Sequence, residues 1–279
     1  MSRLFVEHLT VIDCAFLDAK RGLVGESWIV DLELEGDLDG QGMVQDFGEV
    51  KKKLKHVIDR AADHRLIVPG KSPALKLHLG EGGCGLTFEA ATGPIEHISP
   101  AGAVCVLPAE AVTAQSLTAH LVPILKKQVP ANVTGVHLTL RHEVIEGACY
   151  HYTHGLKKHA GHCQRIAHGH RSQLRITVNG KRDEKFERRW ADAWRDIYVG
   201  TSADVVAHGK GRIRFAYTSG EGEFELELPV DRCVLLQTDS TVERIAEHIA
   251  ARVAEDRPKM PIEVRAYEGV MKGAVSVLG

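Results

Sequence analysis

Six of the sixteen histidines of the chain fall between His151 and His170. His168 and His170 are two positions apart, just before a predicted strand over residues 174–178. On an extended chain, residues i and i+2 point to the same face, so both imidazoles can reach one metal ion. His154, on the preceding strand of the same predicted hairpin, is the natural third ligand. Three neutral imidazoles leave the fourth position of Zn²⁺ open, which is typical of a catalytic zinc site.

A cysteine lies within the same histidine-rich segment. A thiol beside a metal cation is suited to proton abstraction, so Cys163 is a candidate catalytic residue. Its alternative interpretation is a small buried residue. For the whole segment the alternative is a histidine-rich surface loop that binds no metal, and His151, His159 and His162 are interpreted as bystanders in either case.

The elements that would position these residues are a mixture of strands and helices. Residues 27–36 alternate apolar and acidic side chains in their second half, as a half-buried strand does. Asp46 is placed to cap a helix that continues with helical spacing to Ile58. A hairpin, a second helix and another strand are predicted over residues 75–88, 113–127 and 136–140.

The second half of the chain repeats this order of elements. A strand at 174–178, a helix at 186–197, a hairpin at 213–228, a helix at 242–253 and a strand at 262–267 are predicted. Phe47 and Phe186 occupy matching positions, and Cys105-Val106-Leu107 recurs as Cys233-Val234-Leu235. The pattern predicts a tandem duplication with units at residues 1–146 and 147–279. The exposed sheet edges of such a unit usually require a partner.

The two repeats differ in the residues that could carry chemistry. Asp63-His64 follows the first predicted helix, and at the same offset the second repeat has Ser202 and Ala203. The segment His168-Gly169-His170 matches Val24-Gly25-Glu26, and no histidine occurs between residues 9 and 55. Each repeat therefore lacks what the other carries.

Composition excludes several functional classes. The 279 residues carry a formal net charge of -2, without the basic balance of a nucleic-acid-binding protein. No apolar stretch reaches the roughly 18 residues that span a bilayer. The six cysteines are scattered without a CxxC pair, which favours reduced thiols in a cytoplasmic protein.

These residues resemble those that define the 6-pyruvoyltetrahydropterin synthase and 6-carboxytetrahydropterin synthase family. The resemblance rests on five elements: His154; Cys163 ahead of His168-Gly169-His170; the turn Gly42-Met43-Val44 into the helix at Asp46-Phe47; the pair Asp63-His64; and a glutamate on the last strand of a unit, Glu143 or Glu268. The five positions from Cys163 to His168 match neither the queuosine-type nor the biopterin-type spacing, so the product stays open.

The resemblance implies an α+β fold, the T-fold or tunnelling fold. In this fold, antiparallel sheets from several units close into a barrel with the helices outside. It also implies one active site shared between the units, with zinc on His154, His168 and His170. Cys163 would come from the same unit as the zinc ligands, and Asp63 and His64 from the other. Because the family usually assembles six units, three chains would form a homotrimer, a pseudo-hexamer.

The implied reaction is zinc-dependent lyase chemistry on a dihydropterin triphosphate, breaking a carbon–oxygen or carbon–carbon bond. Cys163 would take a proton, with His64, oriented by Asp63, as its acid–base partner. Either Glu143 or Glu268 would hold the amino and ring N–H groups of the pterin through parallel hydrogen bonds. Two threonines that open helices, Thr113 and Thr241, would help frame the pterin or serve only as helix caps.

Several functions remain open at this point. The first choice is formation of 6-carboxytetrahydropterin on the route to queuosine. The alternatives are a 6-pyruvoyltetrahydropterin synthase, an aldolase-type activity on a related heterocycle, and a non-enzymatic zinc-binding scaffold. An enzyme requires Cys163 and His64 to lie near the metal across the interface between the units, whereas a scaffold does not.

Overall fold

The computed structural model describes residues 1–80 and 82–279 and has the mixed α+β architecture expected from the sequence. Within the described residues, eighteen strands form three sheets. The strands are β1 (Ser2–Asp18), β2 (Gly22–Gly36), β3 (Leu66–Pro69), β4 (Leu75–Gly80), β5 (Gly83–Ala90), β6 (Gly93–Ser99), β7 (Val104–Leu107), β8 (Val133–Arg141), β9 (Cys149–His154), β10 (His168–Val178), β11 (Lys181–Arg182), β12 (Ile197–Thr201), β13 (Val205–Gly209), β14 (Arg212–Ser219), β15 (Gly222–Pro229), β16 (Cys233–Leu236), β17 (Ile262–Tyr267) and β18 (Gly273–Leu278).

The helices pack on one face of two of these sheets. They are α1 (Phe47–Glu49), a π-helical turn (Val50–Leu54), α2 (Lys55–Ala62), α3 (Ala114–Lys126), α4 (Glu184–Ala193) and α5 (Val242–Asp256). Asp46 caps α1 as predicted, because its side chain accepts hydrogen bonds from the next backbone N–H groups. No helix of the described residues is long and apolar enough to cross a membrane.

The first sheet has the strand order β7-β3-β1-β2-β8, and the second has β16-β12-β9-β10-β17-β18. The first five strands of each list correspond one to one in order and connection. Leu54 and Leu121 contribute to the core beneath the first sheet, and Ile249 to the core beneath the second. The predicted boundary, after residue 146, lies between β8 and β9.

The third sheet combines hairpins from both halves, in the order β13-β14-β15-β6-β5-β4. Strand β15 pairs with β6, so that Leu226 lies opposite His97. The side chains of Phe88, Phe215 and Phe224 are fully buried in the core under this sheet. Apolar burial on this scale joins the halves through a common core.

The long hairpins of the two halves contact each other across glycines. A Cβ atom on Gly25 would lie 1.9 Å from the carbonyl oxygen of Tyr152, and the Cα atom of Gly25 lies 2.7 Å from the position of a Cβ on Gly169. The ring nitrogen Nδ1 of His151 is 2.7 Å from the carbonyl oxygen of Gly25. This close approach brings the histidines of β9 and β10 against strand β1.

The boundaries differ from the predictions at two places. Strand β10 begins at His168, so the extended His-Gly-His segment is part of the strand that was predicted to start only at residue 174. The helix predicted to reach residue 197 ends at Ala193. The alternation that indicates a strand is visible only from Leu174 onward, because both faces of the preceding residues are buried.

The buried His97 predicts a loss of stability in acid. Burial lowers the pKa of His97 to about 4, below its usual value near 6.5. The neutral ring therefore stabilises the fold above about pH 6.5, and this contribution is lost as the pH falls toward 4. We expect His97→Leu to remove about 3 kcal/mol of the acid-dependent loss in the free energy of unfolding, measured by urea denaturation at pH 7 and pH 4. The exposed His78→Leu is the control, and an unchanged pH dependence in His97→Leu would contradict the assignment.

Candidate metal centre and active site

The three histidines predicted as metal ligands converge in the structure. His154 and His168 lie opposite each other in the β9–β10 pair, and His170 is two residues further along β10. The Nε2 atoms of His154 and His170 are 3.3 Å apart. One ligand atom from each of the three rings lies within 4.8 Å of the others, and all three side chains are buried.

Each of the three rings has its other nitrogen next to an acceptor. The Nδ1 atom of His154 is 2.8 Å from the carbonyl oxygen of Ser240, and that of His168 is 3.0 Å from the carbonyl oxygen of Arg165. The Nδ1 atom of His170 is 3.2 Å from Oδ1 of Asp13. Carbonyl oxygens only accept hydrogen bonds, so the proton of the neutral His154 and His168 rings belongs on Nδ1. The Asp13 carboxylate favours the same tautomer of His170 by proximity, without the alignment of a hydrogen bond. The Nε2 lone pairs are then free to bind a metal.

The protonation state of the rings also fits a metal. Burial lowers the pKa values of His154 and His168 well below the usual value, and neighbouring histidines add to the effect. Neutral imidazole is the form that binds zinc. Among the described residues, Nε2 of His168 is buried without a hydrogen-bond partner, which is costly unless something fills the place. The residues present therefore fit a zinc ion on three histidines.

The acid–base candidates lie beside this cluster. The Nδ1 atom of His64 is 2.7 Å from Oδ2 of Asp63. Ligand atoms of His64, Cys163 and His168 lie within 4.8 Å of one another, and the rings of His64 and His168 are 5.1 Å apart. Burial alone would lower the pKa of His64, but the hydrogen bonds to Asp63 and Cys163 outweigh it and raise the pKa to about 10. His64 is therefore poised as a proton donor at neutral pH.

The Asp63-His64 pair is held by strand β1 as well as by helix α2. Asp63 ends α2, and its Oδ1 atom accepts a hydrogen bond of 2.9 Å from the backbone N–H of Asp13. The backbone N–H of His64 donates to the carbonyl oxygen of Asp13 at 2.7 Å. His64 has a positive φ of 53°, a conformation that non-glycine residues adopt rarely. A strained residue held by several bonds is frequent at functional sites.

Cys163 lies on the short 3-10 turn His162–Gln164 between β9 and β10. Its carbonyl oxygen accepts a hydrogen bond of 2.9 Å from the backbone N–H of Leu156. The turn is also fixed by Arg165, whose Nε atom donates to Glu221 at 2.7 Å. These bonds position Cys163 between the metal-binding strands and His64.

The two candidate glutamates lie at different places. The Oε1 atom of Glu268 is 4.0 Å from Nε2 of both His154 and His170. Glu143 instead lines a cavity of about 650 Å³ together with Tyr267. Burial raises the pKa of Glu143 above its usual value. The structure thus brings Glu268, and not Glu143, to the histidine cluster.

The two candidate threonines begin helices. Thr113 forms a capping box with Ser116 at the start of α3, which is its structural interpretation. Thr241 occupies the N-cap position of α5 without a side-chain capping bond, and it lines a separate cavity of about 380 Å³. The neighbouring Ser240, which sequence patterns did not single out, accepts the hydrogen bond from His154.

The matching place in the first hairpin has a different chemistry. Phe16 lies opposite Val24 there, as His154 lies opposite His168. Glu26, which takes the position of His170, is 4% exposed and has its Oε2 atom 3.2 Å from Nε2 of His142. The first hairpin therefore has a phenylalanine, a valine and a glutamate where the second has three histidines.

The predicted match of Asp63-His64 with Ser202-Ala203 is wrong. In the second half the residue that enters the parallel strand β12 is Asp196, and its φ of 57° resembles that of His64. The sequence offset misleads because the helical segment before the strand is shorter in the second half, Glu184–Ala193 compared with residues 47–62 in the first. Asp196 forms a two-pronged ion pair with Arg21, with Nε to Oδ2 at 2.9 Å and Nη2 to Oδ1 at 2.5 Å.

Comparison with solved structures finds 6-pyruvoyltetrahydropterin synthases. The enzyme from Plasmodium vivax is 23% identical with a TM-score of 0.35, and the match covers 50% of this chain and 97% of that one. The Plasmodium falciparum enzyme is 21% identical with a TM-score of 0.36, covering 51% of this chain and 98% of that one. No curated protein matches the chain.

A family model also matches part of the chain. The model described as 6-pyruvoyl tetrahydropterin synthase matches residues 18–150, slightly less than half of the chain. This segment includes Asp63 and His64 and ends before His154. The interpretation of the histidine cluster as a metal site therefore depends on the geometry of the cluster alone. Residues 18–150 of the chain are thus similar to the 6-pyruvoyl tetrahydropterin synthase family.

Proposed function

We propose that the chain is a zinc-dependent lyase that acts on a dihydropterin triphosphate, with 6-carboxytetrahydropterin as the expected product. The observation that carries the proposal is the convergence of His154, His168 and His170 with Cys163 and the pair Asp63-His64. The first and second units, residues 1–146 and 147–279, supply complementary halves of one site. The similarity of residues 18–150 to the 6-pyruvoyl tetrahydropterin synthase family supports the pterin class of substrate.

In this proposal the three histidines hold the zinc ion through Nε2. Bound zinc supplies Lewis acidity, which polarises the hydroxyl groups of the substrate side chain and acidifies the neighbouring C–H bonds. Cys163 accepts a proton at Sγ, and His64, kept protonated by Asp63, returns a proton from Nε2. The two groups face the same buried place from different units, which suits paired proton transfers.

Glu268 is the proposed anchor for the heterocycle. A carboxylate can accept two parallel hydrogen bonds from an amino group and an adjacent ring N–H. Its Oε1 atom lies 4.0 Å from two of the metal-binding rings, so a ligand held there would direct its side chain toward the metal. Glu143 lines the cavity of about 650 Å³ together with Lys272, and no contact joins it to the histidine cluster in the described residues. In this proposal Thr113 and Thr241 only begin helices and do not contact the pterin.

The same geometry also suits two related reactions. A 6-pyruvoyltetrahydropterin synthase or an aldolase-type activity would use the same metal, thiol and imidazole on a related heterocycle. For the assembly we propose a homotrimer that closes the sheets into a barrel, and for the location the cytoplasm. The exposed apolar residues Val275 and Val277 on β18 support a partner at this edge of the second sheet.

The test is incubation of the zinc-loaded protein with dihydroneopterin triphosphate and identification of the products by mass spectrometry. We expect a tetrahydropterin product with release of the triphosphate. The mass of the product also separates the 6-carboxy, 6-pyruvoyl and cleavage reactions. Cys163→Ala, with zinc still bound, is the matched control. Unchanged substrate with one zinc per chain would reject the lyase in favour of a binding role.

A further inference from the structure

Strand β1 of the first half contributes a residue to the metal centre of the second half. We propose that Asp13 is a positioning residue for the metal ligand His170, so that the metal affinity of the second unit depends on a carboxylate of the first. This inference rests on the proposed zinc site. Asp13 touches neither the metal position nor the substrate position in this scheme, and it acts through the ring of His170.

The carboxylate of Asp13 is enclosed by groups that fix its orientation. Asp13 is 3% exposed, and its Oδ1 atom lies 3.2 Å from Nδ1 of His170. The hydroxyl group of Ser27 donates a hydrogen bond to the same oxygen. The ammonium group of Lys272 lies 3.1 Å from Oδ2. A buried carboxylate is costly without such partners, so its presence here calls for a role.

A tight turn brings Lys272 to this carboxylate. The backbone N–H of Glu268 donates to the carbonyl oxygen of Lys272 at 2.9 Å. Gly269 in this turn has a φ of +73°, and a Cβ atom there would lie 2.4 Å from Oδ1 of Asp13. The turn that carries Glu268 therefore packs directly on Asp13.

The backbone of Asp13 reaches the other half of the site. Its carbonyl oxygen accepts the hydrogen bond from the backbone N–H of His64, and its N–H group donates to Asp63. One residue thus connects the metal ligand His170 with the acid–base pair. Movement of β1 relative to β10 would disturb both at once.

The physical basis is the choice of tautomer. With a carboxylate at Nδ1, the ring of His170 keeps its proton there and presents the Nε2 lone pair to the metal. Without the acceptor, the proton can move to Nε2, and the ring can also turn. Loss of a partner behind a metal-bound histidine typically costs 10- to 100-fold in metal affinity.

The test compares the zinc affinities of Asp13→Asn, Asp13→Ala and Glu26→Gln by competition with a chromophoric chelator. Glu26 is a matched control, because it is also a buried carboxylate of the first hairpin but faces His142 instead of His170. We expect a loss of affinity of about 10- to 100-fold in Asp13→Ala. Asp13→Asn should lose less, because the amide keeps an acceptor oxygen, and Glu26→Gln should bind zinc like the unmodified protein.

A second readout separates positioning from general damage. With Co²⁺ in place of zinc, the visible absorption bands should shift in Asp13→Asn and stay unchanged in Glu26→Gln, since only the first alters a ligand ring. Equal zinc affinities and identical cobalt spectra in folded Asp13→Asn and unmodified protein would overturn the inference while leaving the proposed function intact. Failure of the unmodified protein to bind zinc would instead reject the proposed function.

Discussion

Replacement of His168 by alanine is expected to abolish both zinc binding and turnover, whereas replacement of His64 should abolish turnover and leave zinc bound. His168 presents a buried, unpaired Nε2 atom to the metal position, so its loss removes one of three ligands. His64 lies beside the cluster and is engaged through Nδ1 by Asp63. Its role is proton transfer, which contributes typically 10²- to 10⁴-fold to the rate.

The two variants are distinguished by measuring bound metal by mass spectrometry after dialysis and product formation with the pterin substrate. His159→Ala is the control, since His159 is exposed in the same segment and is expected to alter neither quantity. Full activity in His64→Ala would refute a site divided between the two units. Loss of zinc in His64→Ala would show that this ring is a metal ligand instead.

Much of the candidate site was accessible from the sequence because its signals are local. The i, i+2 spacing of His168 and His170 and the hairpin position of His154 predicted a convergence that the structure contains. The neighbourhood of Cys163 and His64 could be expected only through the family resemblance, since 99 residues separate them along the chain. Contacts of this kind depend on how the hairpins cross in three dimensions. A periodic sequence pattern carries no information about that crossing.

Asp13 shows what local patterns cannot reveal. It lies in a long strand among apolar residues, where a single aspartate gives no sign of a partner 157 positions away. The choice between Glu143 and Glu268 had the same difficulty, because both end equivalent strands. Only the packing of the turn at Gly269 on Asp13 brings Glu268 to the histidines. Long-range packing therefore determines which residues surround the candidate metal ligands.

The interactions at the equivalent place in the first hairpin could not be predicted from the sequence either. Phe16, Val24 and Glu26 lie there in place of histidines, and the ion pair between Arg21 and Asp196 links the first hairpin to the second half beside it. Asp196 is 6% exposed, and a two-pronged pair with a buried carboxylate holds both groups in one geometry. The proposed metal centre therefore has no counterpart at this place, where an ion pair connects the two halves of the chain instead.

The crossing of the two hairpins leads to the second large effect, which is expected for Gly25→Ala. The added methyl group would meet the carbonyl oxygen of Tyr152 at 1.9 Å and the backbone nitrogen of His170 at 2.7 Å. Both are backbone atoms of strands in the second sheet, so they cannot move aside as a flexible side chain would. Overpacking of this kind typically costs 1–3 kcal/mol or more. The strain falls at the place where β2 meets β9 and β10.

Relief of that strain requires the hairpins to separate, which carries Asp13, Asp63 and His64 away from the histidine cluster. We therefore expect Gly25→Ala to lower the free energy of unfolding by at least about 1 kcal/mol and the rate by about 10²-fold or more. Gly85→Ala is the matched control, because Gly85 is also in a strand but has open space around its Cβ position. Urea denaturation and turnover with the pterin substrate measure the two effects. If Gly25→Ala behaved like Gly85→Ala in both, the two half-sites would not depend on this contact, and the divided site would need another means of alignment.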